Sequence, residues 1–90
     1  MLFQLGQVVA TPGALRAMQE NRVDAWRLLH RHANGDWGAV PLEDQQENQR
    51  SIVNGNRILS SYSLNARGDK LWIITEADRS SICLLLPDEY

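Results

Sequence analysis

Three apolar runs separated by two polar turns near the end of the chain, and three helical stretches with their own start and stop residues before them, predict an α+β fold. Helices should pack on one face of a three- to four-stranded, mainly antiparallel sheet, in the order β-α-α-α-β-β-β. Ninety residues make one domain, 1–90, and a chain of this size buries only about 60–65% of its unfolded surface, so each large apolar side chain counts.

The stretch Arg57 to Tyr90 reads as a β-meander. In the first run Ile58, Tyr62 and Leu64 share a face with Ser60, and the other face is mostly serine. Leu71 to Thr75 (Leu-Trp-Ile-Ile-Thr) is apolar on both faces and rich in β-branched and aromatic residues, which fits a central strand covered on both sides. Ile82 to Leu86 is the third run, ended by Pro87, which has no N–H for a ladder. The turn Asn65 to Asp69 carries Asn, Gly and Asp, which tolerate positive φ, whereas the turn Ala77 to Ser81 has no glycine.

Before the meander, Leu2 to Val9 alternates around Gly6 and is expected to add a fourth strand. Thr11-Pro12 supplies an N-cap and a first-turn proline for a short helix with Leu15 and Met18 on its apolar side, closed by Asn21. Asp24 caps a second helix, with Val23 and Leu28 placed for a hydrophobic staple and Trp26, Leu29 and Ala33 expected on the buried face. His30, Arg31 and His32 fall in its last turn, where cations suit the dipole, and Gly35 is the expected terminator. Pro41 to Val53 reads as a third helix, very polar, with only Leu42, Ile52 and Val53 to bury, so it should hold on by its ends.

Nine basic residues, eight of them arginine, stand against eleven acidic ones for a net charge of −2. That balance argues against nucleic acid as the main ligand. The single Cys83 excludes an internal disulfide and a cysteine zinc cluster, fits a reducing compartment and reads as a small core residue. The start MLFQLGQVVATPG has no basic segment or long apolar run, and no window approaches 18 apolar residues, so neither export nor membrane insertion is expected, and a cytoplasmic protein is.

The blocks LGQVVATPGAL, HANGDWG, ILSSYSL, WIITEADRSS and LLPDEY, in this order over nearly the full length, resemble a family of short uncharacterised bacterial proteins encoded on plasmids and other mobile elements. The family has no established activity, so the resemblance implies a genomic setting and not a chemistry, and it carries over no catalytic residue. An accessory or regulatory role within such an element is expected, with no cofactor.

Two function classes follow from the residues. A carboxylate at a strand end with a nearby arginine and histidine is the kit of a general acid–base ribonuclease, and Glu76, Asp78 and Arg79 at the second turn, with His32, would supply it. The helix-then-meander order is also similar, at the level of fold, to small toxin ribonucleases of the barnase and RelE type. No metal site is expected, because His30 and His32 lie about 200° apart around a helix. The favoured class is protein binding, through a strand edge or an apolar patch, to a partner protein or to a second copy as a homodimer. For homodimerisation the serine-lined first run of the meander is the expected edge. In the loop Gly35-Asp36-Trp37-Gly38, Trp37 reads as a plug over the core or as a binding anchor, with Asp36 and Arg79 as further binding candidates.

Overall fold

The computed structural model describes residues 1–90 and has the expected α+β element order. Strand β1 (Gln7–Ala10) is followed by helices α1 (Pro12–Glu20), α2 (Ala25–Ala33) and α3 (Leu42–Asn54). Strands β2 (Ile58–Ser63), β3 (Lys70–Thr75) and β4 (Ser81–Leu85) and a 3-10 turn, Pro87–Glu89, complete the chain. The sheet order is β1-β4-β3-β2; β2, β3 and β4 form the antiparallel meander, while β1 runs parallel to β4, so the sheet is mixed. Both β3 and β4 are interior strands.

The parallel β1 follows from the helices between it and the meander, which carry the chain across one face before it returns. The strand is shorter than the expected Leu2 to Val9. Gly6 presses against the β3–β4 turn so closely that a Cβ there would lie 2.4 Å from the Arg79 carbonyl oxygen, and Leu2 N–H donates to Ala33 O at 2.7 Å. Residues 2–6 therefore lie across the end of the sheet, tied to α2.

Register places Ile58, Ser60 and Tyr62 of β2, Leu71, Ile73 and Thr75 of β3, and Ile82 and Leu84 of β4 on one face. Ala14 and Met18 of α1 and Leu28 and Leu29 of α2 close the core over that face, and Val8 and Ala10 of β1 pack at its margin. The other face carries Leu59, Trp72, Ile74, Cys83, Leu85 and Val9. The end of the chain crosses it, with Tyr90 edge-on to Trp72 at 5.7 Å between ring centroids. Cys83 thus belongs to this outer face and is half-buried rather than a core residue, its thiol pushed up by burial and then by the charges of Glu89 and Glu76.

Caps fall where the sequence places them. Thr11 Oγ1 accepts from Ala14 N–H, Asp24 Oδ1 accepts from Trp26 N–H, and Asn21 closes α1 through its side-chain amide to Ala17 O. Gly35 takes φ +88° after α2. Three helix faces differ from expectation. In α2 the buried stripe is Leu28, Leu29, His32 and Ala33; Trp26 lies about 90° from its centre and is 65% exposed. In α1 the buried pair is Ala14 and Met18, with Leu15 outside. In α3 Leu42 and Val53 are exposed, Ile52 is half-buried against a small second core, and the residues buried outright are Asn48 and Ser51, so the helix is held at its middle by the Asn48 side chain and near its end by Ile52 and the Ser51 carbonyl.

Trp37, Val40 and Ile58 form a second small core, with Phe3 and Ile52 against it. Gly38 forms a bridge to Ser61, and a Cβ at Gly38 would lie 2.1 Å from the Ser61 carbonyl oxygen, so only glycine permits the approach. The plug reading of Trp37 is the one its 5% exposure supports.

Candidate protein-docking surface

The predicted acid–base kit does not converge on a cleft. Glu76 is half-buried and paired with the exposed Arg57 at 3.0 Å, and Asp78 accepts from Ser80 N–H within its own turn. Arg79 supplies the positive φ (+64°) that the glycine-free turn needs. Its guanidinium donates to four main-chain carbonyls: Asn56 at 2.7 Å, Glu76 at 3.2 Å, Ala77 at 3.3 Å and Ser51 at 2.7 Å. That use ties the β3–β4 turn to the last turn of α3 and leaves little of the fork for a substrate.

His32 is not a helix-end cation. It is fully buried, with Nε2 2.7 Å from Thr75 Oγ1 and Nδ1 in contact with Ser60 Oγ. Burial brings its pKa down to about 4, so the ring is neutral at pH 7 and bridges β2 and β3 beneath α2. Phe3 lies edge-on to it at 5.5 Å and Arg79 stacks on Phe3, so the imidazole is sealed from solvent. Asp36 is likewise engaged: its carboxylate pairs with Arg31 at 2.7 Å, which holds its pKa below the usual carboxylate range. Its carbonyl accepts from Tyr62 Oη at 2.7 Å.

The expected open edge at β2 is covered. Asn48 donates to Leu59 O at 2.7 Å and accepts from Leu59 N–H at 3.1 Å. The Trp37 loop adds Ser61 N–H to Trp37 O and Ala39 N–H to Ser61 O. The serine-lined strand therefore offers no free run of backbone groups for self-association.

At the opposite edge nothing covers β1. In its parallel ladder Gln7 and Thr11 donate to Ser80 O and Leu84 O, which points the N–H and C=O groups of Val8 and Ala10 away from β4. Those four groups pair with nothing else in the chain. Beside them α1 and α2 overhang an apolar groove of about 330 Å³, and all nine residues lining it are hydrophobic. Leu15 and Trp26 stand on its helical side at 55% and 65% exposure, and Val9 is 41% exposed on the reverse of the strand. An open strand edge next to exposed apolar side chains is the arrangement that takes up an extended polypeptide.

A second cleft, between α1, the β2–β3 hairpin and the chain's end, is lined by Glu20, Arg67, Asp69, Lys70 and Asp88. Its charges are largely spent on neighbours, Arg67 on Asp69 and Lys70 on Ser63. The sequence led to an expected open edge at β2, whereas β2 is covered and the open edge is β1, and Trp26 is exposed rather than buried. The signal that distinguishes them was present: Asn48 in the middle of a polar helix, and a tryptophan at the border of the α2 stripe. No helix is long and apolar enough to cross a membrane. Comparisons with protein-family models, curated proteins and solved structures found no match.

Proposed function

We propose that the chain is a polypeptide-binding domain that takes an extended segment along the free edge of β1. The observation that carries this reading is the set of four unpaired backbone groups of Val8 and Ala10 beside an all-apolar groove. Backbone bonds would hold the segment in place, and alternate side chains entering the groove between Leu15 and Trp26 would give selectivity. The favoured class, an accessory or regulatory protein acting through protein contacts, rests on this surface; its setting in a mobile element rests on the resemblance of the sequence blocks alone.

Selection of displayed random decapeptides on the folded protein tests the reading. Enriched peptides should alternate apolar residues and lose binding to Trp26→Ala, an exposed position. Peptides that bind Trp26→Ala and Ala10→Pro as well as the parent would overturn it.

A further inference from the structure

We infer that the segment β1 takes up is β1 of a second copy, so that two chains join in antiparallel register about Val9 into one eight-stranded sheet. The inference rests on the docking reading above and commits it to one occupant. With the two-fold axis perpendicular to the sheet at Val9, Val8 of one copy lies opposite Ala10 of the other. Both residues face outward, so each of these pairs exchanges two N–H···O bonds, and the four unpaired groups of each edge are all satisfied by their own copies.

Side chains agree with this register. An axis in that direction keeps the helices of both copies on the same side, so Leu15 and Trp26 of one copy close over the groove of the other. On the reverse face the two Val9 side chains meet at a non-hydrogen-bonded position, where Cα atoms stand about 4.5 Å apart and side chains are closest. Charge permits a self-match: neither Gln7–Ala10 nor any groove-lining residue is ionised, so apposing these like surfaces brings no like charges together.

Area is consistent as well. A stable pair needs roughly 600–800 Å² per partner, and an exposed tryptophan alone contributes on the order of 150 Å² of it. Leu15, Val9 and the strand backbone add to that area, and Gln19 and His30 stand exposed one turn beyond, at its rim.

A register-specific cross-link tests the inference. Val9 neighbours Cys83 on β4, so the cysteine is placed in a Cys83→Ser background. Oxidised Val9→Cys/Cys83→Ser should form a covalent dimer, since the paired Cα spacing falls within disulfide range. A Ser63→Cys/Cys83→Ser protein, with its cysteine at the far edge, should remain at the mass of one chain. Light scattering on the parent should give twice the chain mass. Ala10→Pro, which removes one outward N–H and leaves the β4 ladder intact, and Trp26→Ala should each weaken association at least tenfold without shifting the melting temperature measured in protein dilute enough for parent and variants to be single chains. A parent that stays at one chain mass at millimolar concentration would overturn the second-copy inference. The peptide selection would then decide the docking reading separately. A Ser63→Cys cross-link as efficient as the Val9→Cys one would also overturn the inference.

Discussion

Asn48 stands to Leu59 as a residue on a neighbouring strand would: its side-chain amide gives to the Leu59 carbonyl and takes from the Leu59 N–H, at 2.7 and 3.1 Å. One side chain on α3 thereby satisfies both outward groups of a β2 residue and fixes the helix to the sheet edge. Asn48→Asp keeps the size but loses the donor and sets a carboxylate against a carbonyl. It should cost about 2–3 kcal/mol, whereas Asn48→Gln, which must refit a longer chain, should cost about 1 kcal/mol less. Denaturant midpoints at pH 7 measure both, and an Asn48→Asp protein as stable as the parent would show that the edge does not depend on this contact.

His32 links stability to pH. Its folded pKa of about 4 lies below the unfolded value near 6.5, so the neutral form is favoured by folding. The contribution is complete above about pH 6.5 and is lost as the pH falls from there through about 4, amounting to about 3 kcal/mol. The carboxylates held low by their partners, such as Asp36 and Glu89, lose their contribution lower in the range. Between pH 7.5 and 4.5 the parent should therefore lose about 2–3 kcal/mol more than His32→Gln, which bonds without titrating in this range. Parallel stability curves for the two proteins would contradict the assignment.

Arg79 separates the structural account from the ribonuclease one. Arg79→Ala removes the donor shared by Ser51, Asn56, Glu76 and Ala77, and should cost about 2–3 kcal/mol. Arg79→Lys should recover little, because one ammonium does not span carbonyls that a planar fork reaches together. Glu76→Gln, which touches only an exposed pair, should be near-neutral. An RNA-cleaving activity abolished by Glu76→Gln would instead restore the catalytic reading.

Much of the fold was legible because local signals agreed with it. Thr11-Pro12, Asp24, Gly35 and the Asn65 to Asp69 turn each act through backbone chemistry that depends on a few neighbours. The parallel β1 was not legible, since nothing in Gln-Val-Val-Ala states which strand it joins. His32 was misread for a related reason. Its position in the last turn of α2 suggests a helix-end charge, and only the long-range placement of Ser60 and Thr75 makes it a buried neutral bridge. The candidate site suffered most, because edges and exposed faces are defined by what fails to cover them.

The core positions give a control for the surface ones. Ile73 is fully buried between β2 and β4, and Ile73→Ala should cost roughly 2–5 kcal/mol. Trp37→Ala, which empties the second core, should cost roughly 3 kcal/mol or more and loosen α3. Thermal unfolding should rank both far below Trp26→Ala, whose exposed ring contributes little to the monomer. A Trp26→Ala protein destabilised as much as Trp37→Ala would mean that the ring serves the core.

Amide hydrogen exchange at Val8 and Ala10 tests the central claim, that β1 is the edge the molecule uses, most directly. In dilute protein these two amides should exchange far faster than those of Val9 and Thr11, which face β4, and protection should rise as protein concentration drives association, with Leu59 and Ser61 unchanged. Val8 and Ala10 amides that remain unprotected in the associated state, or protection that rises at β2 instead, would contradict the account.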